Sequence, residues 1–144
     1  MKKFLLFSLL CLCGVGLAFA QGKAGAEAKV AEIKFDKLIH NFGTFSEADP
    51  LVKCSFTFTN VGTAPLIIHQ AIASCGCTVP VYTKTPIKPG EKGNIDVTYN
   101  GTGKFPGHFK KSITIRCNGK KEMVRLFIEG DMTAKDTDKK EKAK

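Results

Sequence analysis

The chain of 144 residues has no tryptophan, three histidines and three methionines. These shortages exclude several kinds of chemistry. The three imidazoles, His40, His69 and His108, stand among scattered acids that define no Ser–His–Asp order, and no G-x-S-x-G nucleophile elbow occurs. The acids fall mostly at strand ends and turns, and no two are marked out as the facing carboxylates that glycoside chemistry needs. There is no phosphate-cradling loop either. Gly101, Gly103 and Gly107 lie in Asn100-Gly-Thr-Gly-Lys-Phe-Pro-Gly107, which reads as a hairpin turn and does not match G-x-x-x-x-G-K-[ST]. The C-x-x-C pair of thioredoxin-type proteins is missing, as is a βαβ pattern to carry it. No stretch of ten residues keeps a good helical period, and no internal repeat is visible. The sequence therefore predicts a protein without a catalytic set and without a cofactor.

What is present is the composition of one globular domain, with 43% hydrophobic and 24% charged residues. The N-terminus is of another kind. Met1-Lys2-Lys3 precedes an apolar run from Phe4 to Phe19, broken only by Ser8, and Ala18-Phe19-Ala20 is an A-x-A site. That order predicts a secretory signal peptide over residues 1–20, cleaved between Ala20 and Gln21. The run is short for a membrane span, so no span is expected after cleavage, and the product is expected in the periplasm or outside the cell. Residues 21–30 are small and polar and read as a spacer. Residues 133–144 are mostly charged, cannot bury enough apolar surface to offset their ordering entropy, and read as a disordered tail.

Between them, residues 31–132 carry a period of two, the signature of strands. Val52, Cys54, Phe56 and Phe58 alternate with Lys53, Ser55, Thr57 and Thr59; Ile95, Val97 and Tyr99 alternate with Asp96 and Thr98. Phe109, Ile113, Ile115 and Cys117 share one parity, and Val124, Leu126 and Ile128 form another such row. Ile33–His40 and Pro65–Ala73 are two further runs. Turn residues separate them at Asn60-Val-Gly62, Lys88-Pro-Gly90, Asn100-Gly101 and Asn118-Gly119. The expected fold is all-β: an immunoglobulin-like antiparallel β-sandwich of about seven strands.

Several of these residues also form recognisable motifs. His40-Asn-Phe-Gly-Thr-Phe45, Phe56-Thr-Phe-Thr-Asn60-Val-Gly62 with Pro65-Leu-Ile-Ile68, Ser74-Cys-Gly-Cys-Thr78, Pro86-Ile-Lys-Pro-Gly90 and Ile95-Asp-Val-Thr-Tyr99 follow one another in this order. Together they resemble the DUF1573 family of exported bacterial proteins, itself similar to immunoglobulin-like domains of the major-sperm-protein and ASH type. Ser74–Thr78 is the most specific element of the resemblance. The resemblance implies a fold and a compartment and no established activity. Cys54 lies between these motifs and Cys117 after the last of them, so their roles are argued from this chain.

Cleavage removes Cys11 and Cys13 and leaves Cys54, Cys75, Cys77 and Cys117, an even set suited to disulfides in an exported protein. In an immunoglobulin-like order Cys54 and Cys117 would fall on facing strands. A bridge between them would close a long loop, worth up to ~4 kcal/mol in the chain-entropy model. The competing expectation is two buried thiols. Cys75 and Cys77 stand two apart, with Gly76 free to kink the backbone and bring them together. Such a small ring constrains little of the unfolded chain, so a bridge there suggests a labile thiol pair. Alternatively, two thiolates would suit a soft metal ion, with His69 or His108 completing the set.

The chain has 22 basic against 13 acidic residues, a net charge of +9. Lys110, Lys111, Arg116, Lys120, Lys121 and Arg125 fall on the last hairpin and could form a stripe for an anionic surface. Without interleaved aromatic side chains for base stacking, nucleic acid is not expected. Phe127 shares the outward parity of Arg125 and, if exposed, would mark a contact patch. The functional expectation is an exported, non-catalytic binding or structural module for a protein or glycan partner. Its rival is a thiol-redox or soft-metal protein using Cys75-Gly76-Cys77.

Overall fold

The computed structural model describes residues 28–135. The expected signal peptide with its expected cleavage site, most of the expected spacer and residues 136–144 lie outside the described residues. Eight strands follow in chain order: β1 (Ile33–Phe35), β2 (Ile39–Ser46), β3 (Leu51–Asn60), β4 (Ile68–Ala73), β5 (Thr78–Tyr82), β6 (Lys92–Asn100), β7 (Gly107–Cys117) and β8 (Met123–Thr133). They form two four-stranded sheets, β1-β3-β6-β5 and β2-β8-β7-β4. The described residues contain no helix.

The interior is the one the alternation specifies. Phe56, Phe58, Ile95 and Val97 from one sheet meet Ile113, Ile115, Leu126 and Ile128 from the other, and all are buried. Their intervening neighbours point to solvent because successive side chains of a strand leave on opposite faces.

Three features depart from the expected sandwich. The run Ile33–His40 is not one strand. β1 pairs with β3 and β2 with β8, so the chain passes from one sheet to the other at Asp36–Leu38. The β2–β8 pair is parallel, which makes its sheet mixed. The strand β5 has no counterpart among the runs identified from sequence, because Pro80 interrupts Thr78-Val-Pro-Val-Tyr82. It is an edge strand, where a missing backbone N–H is tolerated. Its outward Val79 and Val81 are exposed.

The two ends of the sandwich are closed differently. At one end Asn60 is fully buried. Its side-chain oxygen accepts from the backbone N–H groups of Glu32 and Gly62, at 3.3 and 3.0 Å. Its amide nitrogen donates to the carbonyls of Ala64 and Ile87, at 2.8 and 2.9 Å. One side chain thus satisfies four backbone groups and ties three chain segments together, around Glu32, Asn60–Ala64 and Ile87. Gly62 allows the closest approach, since a Cβ there would collide with the backbone of Val30 and Glu32. Val30 belongs to this end rather than to a free spacer, for its carbonyl accepts from the Thr63 backbone N–H at 2.8 Å. Asn118 pins the adjoining loop through the Ile67 N–H and the Pro65 carbonyl, at 2.8 and 3.0 Å. The opposite end is formed by the β4–β5 and β6–β7 connections.

Candidate functional site

The β4–β5 connection carries the specific motif. Ser74 leaves β4 with its N–H on the Ser112 carbonyl, and Asn100 N–H holds the Cys77 carbonyl at 2.8 Å. The chain turns between these anchors, and Cys75 and Cys77 are joined in a disulfide with Cα atoms 5.3 Å apart. Thr78 is buried directly beneath it. Its hydroxyl oxygen lies 3.5 Å from the Cys75 sulfur and 3.9 Å from the Cys77 sulfur.

Beside the disulfide is a cavity of about 250 Å³, lined by both cysteines, Tyr99, Phe109, Lys104, Phe105, His108 and Lys111 among others. Its floor is aromatic. Tyr99 from β6 and Phe109 from β7 stack with ring centroids 4.0 Å apart and planes 3° from parallel. Phe45 meets Phe109 edge-on at 5.8 Å. Burial raises the Tyr99 phenol above its ordinary pKa. The rim is basic. Lys111 is half-buried on the inward parity of β7, Lys104 stands on the β6–β7 turn, and His108 Nδ1 lies 3.1 Å from an Asp131 carboxylate oxygen. From that turn projects Phe105, 96% exposed. An aromatic ring left in water beside two lysines is the most conspicuous surface feature of this end. Sequence reading passed over it, because Asn100–Gly107 is composed like an ordinary turn. The available signal was a phenylalanine placed where no sheet face could cover it.

The other cysteines are free thiols: Cys117 is buried and Cys54 partly so. The expected Cys54–Cys117 bridge is therefore not made. Both face the interior, but at different levels. Cys117 packs beside Gly119 and Leu66 at the Asn60 end. Cys54 sits farther along β3, on the order of 20 Å from Asn60 at the rise of a strand. Burial pushes the Cys54 thiol up to about 11, with a smaller opposing effect from Lys37 and a small further rise from Asp96. Burial likewise raises the Cys117 thiol, which donates to the Lys121 carbonyl at 3.3 Å.

The set Cys75, Cys77 and His69 is not brought together. His69 lies near the start of β4 and Cys75 beyond its far end, on the order of 20 Å away. His69 instead lines a cavity of about 420 Å³ with Gln70, Arg116, Cys117 and Glu122. His108 is the imidazole beside the disulfide, and the two sulfurs are bonded to each other rather than presented as thiolates. Among the described residues no group of three metal-ligating side chains is assembled. His40 hydrogen-bonds Lys37 at 2.7 Å; burial, then the Lys37 charge, holds its pKa below the usual value.

The basic stripe is divided as well. Lys110 pairs with Glu129 at 3.1 Å and lies over the Phe127 ring, 5.4 Å from its centroid. Phe127 is therefore half-covered and forms no open patch. Lys111 joins the disulfide cavity, Arg116 the His69 cavity, and Lys121 and Arg125 flank a third groove with Leu38 and Met123.

Two facing sheets, one mixed and one antiparallel, with a sheet-switching first segment define an immunoglobulin-like β-sandwich of the ASH and PapD type. Residues 33–132 match the model of DUF1573, a protein family of unknown function, and the chain belongs to that family. No curated protein matches it. A protein of unknown function from Porphyromonas gingivalis W83 superposes with a TM-score of 0.62 at 18% identity, over 77% of this chain and 51% of that one. The ASH/PapD-like domain 7 of human CEP192 gives 0.59 at 10% identity, over 94% of this chain and all (100%) of that domain. The VesB protease of Vibrio cholerae gives 0.52 at 17% identity, over 69% of this chain but only 31% of that one. At these identities the likeness is one of fold. The chain spans about half the length of the Porphyromonas protein.

Proposed function

We propose that this chain is an exported, non-catalytic binding module that engages acidic, apolar-bearing segments of other exported proteins at the disulfide end of its sandwich. The observation that carries this reading is Phe105, 96% exposed on the β6–β7 turn and flanked by Lys104 with Lys111 and His108 nearby. A large apolar side chain held in water costs solubility and gives the fold nothing. The same ring, buried against a partner, is the kind of aromatic anchor that dominates protein interfaces. The surrounding cations would steer acidic partners and reject basic ones. Support also comes from the frame. The stacked aromatic floor of Tyr99 and Phe109 holds the rim in place before a partner arrives, which lowers the ordering cost of association.

The test is selection of random displayed peptides against the purified mature chain. The expected peptides combine Asp or Glu with an apolar residue and lose binding to Phe105→Ala and to Lys104→Glu/Lys111→Glu. Peptides that bear no acidic bias, or that bind Phe105→Ala unchanged, would overturn the assignment. Export is tested separately. N-terminal sequencing of the protein recovered from outside the cytoplasm should begin at Gln21.

A further inference from the structure

We infer that the Cys75–Cys77 disulfide is an exchangeable two-electron acceptor for cysteine pairs of other proteins. Three observations carry the inference. First, the bridge is a poor staple. It joins residues two apart that β4 and β5 already hold in place, so the fold does not depend on it. Second, both cysteines are half-buried and line an open cavity, although Cys77 also touches the edge of the core. Third, that cavity supplies what a leaving thiolate needs. Lys104 and Lys111 provide positive charge, and the buried Thr78 hydroxyl stands 3.5 Å from the Cys75 sulfur, closer than to Cys77.

The geometry sets the order of events. A thiolate of the partner attacks the Cys77 sulfur. A new S–S bond forms, the Cys75–Cys77 bond breaks, and its electron pair leaves on Cys75, which takes the hydrogen bond from Thr78 and then a proton. The partner's second thiolate attacks its own sulfur in the mixed disulfide and releases Cys77 as a thiolate. That thiolate is protonated in turn. One partner dithiol is oxidised to a disulfide, and Cys75 and Cys77 are reduced to two thiols. The preference for cysteine pairs in acidic segments rests on the binding surface proposed above; the exchange chemistry does not.

The experiment uses the full mature chain in its oxidised form. Folded protein is treated with excess reduced dithiothreitol, alkylated, and mapped by mass spectrometry. Cys75 and Cys77 should become alkylated, while Cys54 and Cys117 stay unlabelled and the circular dichroism is unchanged. A bridge that persists until the protein unfolds overturns the inference. Thr78→Val should slow reduction about tenfold, the kinetic worth of one hydrogen bond to a charged group, and Thr78→Ser should restore the rate. Equal rates in Thr78→Val and the parent remove Thr78 and the assigned direction of attack. Two synthetic dithiol peptides, one flanked by Glu and Phe and one by Lys, then separate chemistry from recognition. The acidic peptide should be oxidised about tenfold faster. Equal rates for both refute the acidic substrate class and leave exchange standing. Oxidation of neither, with dithiothreitol still effective, refutes exchange with cysteine pairs.

Discussion

The two ends of this sandwich solve the same problem, how to turn a chain between sheets, with different chemistry. At one end Asn60 satisfies four backbone groups from inside the protein, and Asn118 ties the next loop. Both polar atoms of each of these side chains are used by the fold. At the other end a disulfide spans residues already anchored, a phenylalanine stands in water, and basic side chains gather around a cavity. The Asn60 and Asn118 bonds of the first end are explained by stability alone, although a cavity beside them is lined by His69, Arg116 and Glu122. The second contains more than stability requires, and the surplus is where function is to be sought.

The contrast is open to direct attack. Its largest expected consequence is at Asn60. Asn60→Ala strands buried N–H and carbonyl groups and should cost ~3 kcal/mol or more in urea unfolding. A loss below that of the disulfide variant would reverse the comparison. Cys75→Ser/Cys77→Ser should cost less than ~2 kcal/mol, because so short a loop removes little entropy from the unfolded chain.

A smaller effect is expected from pH. With Cys75 and Cys77 bridged, the thiols that titrate among the described residues are Cys54 and Cys117, both raised by burial. A raised pKa means that the folded protein holds its proton where the unfolded chain has lost it. Stability from Cys54 is then full below its ordinary 9.0 and is lost as pH climbs to about 11. Cys54→Ala should flatten the decline of melting temperature across that window. His40, lowered by burial and by Lys37, works the other way: it should weaken the fold as pH falls through and below its ordinary 6.5. The smallest effect on stability is expected at Phe105. Phe105→Ala should stay within ~0.5 kcal/mol of the parent, since the ring packs against little, while peptide binding is lost. A large destabilisation there would make Phe105 a structural residue and end the comparison.

How much of this was legible beforehand depended on the range of the interaction. Phe56, Phe58, Ile95, Val97, Ile113 and Ile115 were correctly placed inside because burial follows from strand parity, a property of adjacent residues. Ser74–Thr78 stood out as a motif, and Gly76 already allowed Cys75 to meet Cys77. The passage between sheets at Asp36–Leu38 was not legible, for nothing in Ile33–His40 says which strand each half will pair with. Thr78–Tyr82 was hidden by Pro80, whose meaning depends on the strand being at an edge.

The amino-acid sequence by itself determined that this protein is a two-layered β structure, which face of each strand is apolar, and where the chain turns. These follow from alternation and local turn chemistry. Only the tertiary structure decided that Cys54 and Cys117 stay apart, that His69 and the two bridged cysteines lie at opposite ends, and that Phe105 shares a cavity with the disulfide. Each of these is a distance between segments remote in the chain. Such distances are set by strand register and sheet order, which arise only when the whole interior packs at once.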